Sequence, residues 1–214
     1  PLIMRLIFRR CPLAAALFLM LTFLHPGLTW KKPGNAEAFT HSLKRTNGDN
    51  ILDASIQVAA APDCLLRMLF SAYHIRELMK GSADLVEIAN EGPGRYELRS
   101  VHKNKLCSLD TVYRRDLRKD MRRVTFELIR CEQVSKVAPK LVSSKGYYEV
   151  LPDPAGSLLK YHEETRLEAS RWDPRAAALV KLVERDTLLF LKKIKKYSEK
   201  TACRDSLPRL TVCP

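Results

Sequence analysis

The segment Asp173 to Lys200 reads DPRAAALVKLVERDTLLFLKKIKKYSEK and spells out a long helix together with its start. The Asp173 carboxylate can accept bonds from the free amides of a first turn, and Pro174 suits the first helical position because it has no amide hydrogen to leave unbonded. Projected at 100° per residue, Ala176, Val180, Val183, Thr187, Phe190, Leu191 and Ile194 share one side, widened by Leu179, Leu182 and Leu189. Lys181, Arg185, Lys192, Lys195 and Lys196 gather on the other. A helix of roughly 25 residues is about 37 Å long, so its apolar stripe crosses a domain and requires a second layer to cover it.

The preceding chain supplies that layer. Ile51 to Ala59 reads as a strand, Ala61-Pro62-Asp63 opens a short helix with Leu65, Leu66, Leu69 and Phe70 on one face, and a second short helix, His74 to Met79, ends at Gly81. Period-two alternation marks Ala83–Asn90, Arg95–Lys103, Leu106–Leu117, Arg122–Cys131, Ser144–Leu151 and Ser157–Ala169. Gly92-Pro93-Gly94 and Asp153-Pro154-Ala155-Gly156 are turns, because proline presets φ and glycine tolerates φ > 0. A strand, two helices, six strands and a long helix predict an α+β domain, in which an antiparallel sheet lays its apolar face on the last helix.

Outside that unit, Arg5, Arg9 and Arg10 precede the uncharged run Leu13 to Leu24, the layout of a secretory signal. Twelve helical residues span about 18 Å against a hydrocarbon core of about 30 Å, which favours a cleaved peptide over a membrane span. Cleavage after Ala36-Glu37-Ala38 divides the chain into a signal peptide, residues 1–38, a flexible polar lead, 39–48, a domain, 49–200, and a cysteine-containing tail, 201–214. The expected destination is the periplasm or the exterior; the alternative is anchorage by an uncleaved N-terminal segment. Residues 1–38 hold five basic side chains and one acidic, so their removal takes the formal charge from +13 to +9. A basic exported surface suits anionic lipid or envelope polymers. Cys203 and Cys213 bracket a short loop and are the favoured disulfide. Simple alternation puts Cys107 and Cys131 on opposite faces of their hairpin, which argues against pairing them.

The arrangement resembles the helix-grip superfamily of START domains, Bet v 1-like plant allergens and polyketide cyclase or coenzyme Q-binding-like proteins. The resemblance covers about Asp49 to Lys200 and rests on Ile51 to Val58 running into Ala61-Pro62-Asp63, the two short helices, Gly146-Tyr147-Tyr148-Glu149-Val150 and the helix from Pro174. It implies a seven-stranded sheet curled around the closing helix, with a cavity between them for a hydrophobic small molecule such as a lipid, isoprenoid or polyketide. Carriage is the leading expectation and a cyclase or dehydratase the alternative.

Nothing in the sequence marks a catalytic set, a metal site or a cofactor: GxSxG, GxxxxGK[ST] and GxGxxG are absent, and His162-Glu163-Glu164-Thr165-Arg166 has Arg166 where a zinc protease needs histidine. The inward faces nominate the cavity residues. On the strands these are Tyr96, Leu98 and His102, then Leu109, Tyr113 and Arg115, then Phe126, Tyr148, Tyr161 and Glu163; on the helix they are Val180, Val183, Thr187 and Phe190. Arg115, Glu163, His102 and Asp186 stand out because burying polar groups without partners is costly. An Arg115–Glu163 pair at the cavity mouth is the favoured reading, and recognition of an acidic or hydroxylated ligand head is the other. In an enzyme, Arg115, His102 and Glu163 would polarise and deprotonate a carbonyl substrate. The hairpin tip Arg114 to Arg123 carries Arg118, Lys119, Arg122 and Arg123 as a candidate contact with an anionic membrane surface, while its lack of interleaved aromatics argues against nucleic acid.

Overall fold

A computed structural model describes residues 39–46, 48–103, 107–135, 138–170 and 173–203. The strands are β1 (Phe39–Thr46), β2 (Asp49–Val58), β3 (Leu85–Gly92), β4 (Arg95–Lys103), β5 (Cys107–Arg118), β6 (Arg123–Ser135), β7 (Lys140–Asp153) and β8 (Gly156–Glu168). Two short helices, α1 (Pro62–Phe70) and α2 (Ala72–Met79), follow β2, and α3 (Pro174–Tyr197) closes the domain before a π-helical turn at Ser198–Ala202. The eight strands form one antiparallel sheet in the order β1-β2-β8-β7-β6-β5-β4-β3. The signal segment expected at 1–38 lies outside the described residues.

From β2 to β3 this is the seven-stranded sheet that the sequence led us to expect, and β1 is an addition. The flexible lead expected at 39–48 is largely a strand: Phe39 to Thr46 pair with Ile56 to Asp49, and Gly48 at φ +88° turns the hairpin. Phe39 and Leu43 pack against the core while Thr40 and Lys44 face outward. An edge strand with so few inward apolar residues carries almost no alternation signal.

The core lies at one end of the layer between sheet and helices. Leu65, Met68 and Leu69 of α1, Leu191 and Ile194 of α3, and Ile56, Val58 and Leu159 of the sheet are all almost fully buried there. Asp173 caps α3 by accepting from the Arg175 amide at 2.9 Å, as its sequence position predicts. Along α3 burial is uneven: Ala176 and Leu182 are buried, but Val183 is 36% exposed and Leu189 57%. Leu189 therefore does not belong to the buried face assigned to it from the helical projection.

The cysteines differ from expectation. Cys64 at the start of α1 is bonded to Cys203, with Cα atoms 5.9 Å apart, so the favoured Cys203–Cys213 bridge is not formed; Cys213 lies outside the described residues. The π-helical turn redirects the chain, with the Cys203 amide donating to the Ser198 carbonyl at 2.8 Å, and brings Cys203 back to α1. A bulge at Val112/Tyr113 in the β5–β6 ladder also overturns the alternation argument. Tyr113 opposes Leu128 but Val112 opposes Arg130, so Cys131 comes opposite Thr111, on the inward face. Cys131 is free, and Cys107 is opposite Ser135, several ladder positions away.

Candidate functional site: a cavity under the closing helix

Where α3 lifts from the sheet, a cavity of about 330 Å³ remains. Its floor is Leu98 and Ser100 of β4, Tyr113 and Arg115 of β5, Phe126 of β6, Tyr148 of β7 and Tyr161 and Glu163 of β8. Val183, Thr187 and Phe190 of α3 form its roof, and Ile75, Met79 and Ser82 from α2 and the following turn close one side. A second lobe of about 100 Å³ adjoins it, sharing Glu163 and Val183 and adding Leu43, Leu52, Leu109, Leu141 and Val180. Of the fourteen residues nominated from sequence, ten line the larger lobe; Leu109 and Val180 line only the smaller. Tyr96 is fully buried beside Arg115. His102 lies outside both lobes, and burial lowers its pKa against the pull of the Ser82 backbone.

The sequence analysis missed Ile75 and Met79, which lie one helical turn apart on α2, and Ser100, which alternates with Leu98. It also missed Leu43, which belongs to the unforeseen β1.

The aromatic floor is tightly interlocked. Phe126 stacks on Tyr161 with centroids 5.8 Å apart and meets Tyr148 at 5.6 Å. Gly146 makes this possible: it opposes Phe126 on one side and Glu163 on the other, and its missing side chain leaves the space that the phenylalanine ring fills. Burial pushes the Tyr148 hydroxyl up to about 12, with Arg115 pulling the other way. Burial raises Tyr113 and Tyr161 as well, and the Glu163 charge adds to both. These phenols are therefore neutral donors at physiological pH.

Two charged side chains face this space, and they do not meet. Glu163, 9% exposed, accepts from the Ser144 hydroxyl at 2.8 Å and the Tyr161 hydroxyl at 2.6 Å. Arg115 donates from Nη2 to the Leu69 carbonyl at 2.9 Å and makes no ion pair among the described residues. The expected Arg115–Glu163 pair is thus absent. Alternation correctly gave both side chains the same face but not their separation: β5 and β8 are three strand spacings apart, about 14 Å at about 4.8 Å each.

Other polar candidates have ordinary partners. Asp186, expected inside the apolar stripe, pairs with Arg185 at 3.2 Å on its exposed edge. His162 points to the outer face, 2.7 Å from the Asp53 carboxylate and stacked on Tyr147. At the basic hairpin tip, Arg122 pairs with Asp63, and Arg123 pairs with Glu149 and lies over Tyr147. Arg118 and Lys119 are exposed. Among the described residues no three His, Cys, Asp or Glu side chains are placed to share a metal ion.

A curved antiparallel sheet closed by a long C-terminal helix over a cavity is the helix-grip fold of the Bet v 1-like and START-type proteins, and solved structures bear this out. An aromatase/cyclase, Zhui, from a Streptomyces species superposes with a TM-score of 0.58 at 17% identity, covering 72% of this chain and 98% of its own. Norcoclaurine synthase from Thalictrum flavum, in complex with dopamine and hydroxybenzaldehyde, gives 0.52 at 16% identity over 83% of this chain and 98% of its own. Ara h 8.0201 gives 0.54 at 12% identity over 70% and 97%. No protein-family model matches the chain, and no curated relative does.

Proposed function

We propose that this chain binds and carries a hydrophobic small molecule between the sheet and α3. The supporting observation is the cavity of about 330 Å³, floored by aromatic rings and roofed by Val183, Thr187 and Phe190, a size and lining typical of small-molecule sites. The lipid, isoprenoid or polyketide class fits such walls; one neighbour in fold is named an aromatase/cyclase and another holds dopamine and hydroxybenzaldehyde. A second reading, a cyclase or dehydratase, is favoured by the buried Glu163 carboxylate and the Arg115 guanidinium on one floor. His102 plays no part in it, since it lies outside the cavity.

Native mass spectrometry of the purified chain tests the binding reading. Co-purifying hydrophobic mass, or uptake of decanol or decanoate after delipidation, is the expected result; a chain that takes up neither refutes it. A bound compound that emerges chemically altered would favour the enzyme. Val183→Trp should cut uptake by tenfold or more with little loss of folded protein, because Val183 borders both lobes and is already 36% exposed. Unfolding of that variant on the scale of Ile194→Ala, a core truncation costing about 2 to 5 kcal/mol, would mean that α3 packs on a filled core.

We also infer export. The charged-then-apolar N-terminus and a disulfide between Cys64 and Cys203 both suit an oxidising compartment. Cleavage before Phe39 would leave β1 whole. Mass measurement on protein from the cell envelope should therefore show residues 1–38 removed; an intact N-terminus there would favour the anchored alternative. Contact of Arg118 and Lys119 with anionic lipid remains part of this reading.

A further inference from the structure

The geometry points to Arg115 as the anchor for a carboxylate, so that the ligand is a hydrophobic monocarboxylic acid with its head on β5; this rests on the binding reading above. Arg115 is 5% exposed and lines the larger lobe. Its Nε has no acceptor, and beside it the buried Tyr96 hydroxyl has no partner either. Among the described residues no carboxylate lies within ion-pairing distance of the guanidinium. Its contacts are the Leu69 carbonyl and the faces of Tyr96 and Tyr148, each ring centre 5.7 Å from Cζ.

A buried lysine in this position could shed its proton, but arginine stays charged. One carbonyl and two aromatic faces are thin compensation for a whole desolvated cation. An anion delivered by the ligand would complete the site, and a guanidinium matches the planar fork of a carboxylate. One guanidinium, with no lysine in the lining, suits a single charge and not a phosphate dianion. Glu163, at the junction of the two lobes, carries the opposite sign. It repels a second carboxylate and so fixes which way the ligand lies.

The cavity sets the scale of the apolar part that it can cover. At about 30 Å³ per water, 330 Å³ corresponds to roughly eleven waters, and a ten-carbon acid has a similar number of non-hydrogen atoms.

Decanoate and decanol, nearly the same in shape, separate charge recognition from simple burial. Titrated into delipidated protein at pH 7 by calorimetry, decanoate should bind about tenfold or more tighter, the scale of a charge-assisted hydrogen bond. Arg115→Met should abolish this preference and leave decanol binding in place, while Arg115→Lys keeps part of it. Because the methionine variant also removes the Leu69 contact, the wild-type chain provides a second measurement. Lowering the pH through the acid's own pKa, about 4 to 5, should bring decanoate down to the affinity of decanol. Equal affinity at pH 7 with both ligands bound overturns the carboxylate anchor and leaves the cavity reading standing; binding of neither overturns both. A preference that survives in Arg115→Met assigns the anion to another residue and overturns the anchor.

Discussion

Reducing the Cys64–Cys203 bridge should destabilise the folded chain by about 5 kcal/mol. The bonded residues are 139 apart in sequence. Closing a loop of that length removes entropy from the unfolded chain worth about 5 kcal/mol by the usual logarithmic relation, a large share of a total stability of about 5 to 15 kcal/mol. The position of the bridge adds a functional consequence. It ties the start of α1 to the turn after α3, at the end where Leu191 and Ile194 are buried. Reduction should therefore loosen the packed end of the roof as well as lower the unfolding midpoint. Urea unfolding with and without reductant, alongside a Cys64→Ala/Cys203→Ala variant, measures the effect; a midpoint indifferent to reductant would show that these cysteines are not joined.

The order of elements was legible because each one carried a local signal. Asp173 and Pro174 announced α3, Gly156 and Pro154 the β7–β8 turn, and alternation the strands between. Two features were hidden for separate physical reasons. β1 is an edge strand whose inward contribution is chiefly Phe39 and Leu43, too few for a periodic pattern. The β5–β6 bulge adds a residue on one side of the ladder, and no alternation rule can foresee the resulting change of face at Cys131.

The site shows the same boundary between local and global information. A face can be read from sequence, so Tyr113, Arg115, Tyr161 and Glu163 were all assigned inward. Distance across the sheet depends on strand order, so the pairing of Arg115 with Glu163 was not readable. Cys203 illustrates this for a covalent bond: the nearest cysteine in sequence was Cys213, but the nearest in space was set by the docking of α1 against the last turn of the chain.

Gly146→Ala should cost about 3 kcal/mol, at the upper end of what overpacking a core usually does. The cause is space and not backbone conformation, since Gly146 is not among the glycines with positive φ. A Cβ there would lie 2.0 Å from the His162 carbonyl oxygen, 2.7 Å from Cζ of Phe126 and 3.0 Å from Cα of Glu163. Two of those atoms are backbone of β8, so no change of rotamer relieves the clash; β7 and β8 must part, or Phe126 must give up its stack on Tyr161. Either movement disturbs the cavity floor, because Tyr161 holds Glu163 through its hydroxyl. The variant should then lose ligand uptake even at temperatures where it remains folded. Gly92→Ala is the control: that glycine has nothing within 4 Å and no positive φ, and its stability should change by no more than about 0.5 kcal/mol. Urea unfolding of both variants decides the matter. If Gly146→Ala were as mild as Gly92→Ala, the close approach of Phe126 and β8 over Gly146 would be wrong, and with it the aromatic floor on which the cavity stands.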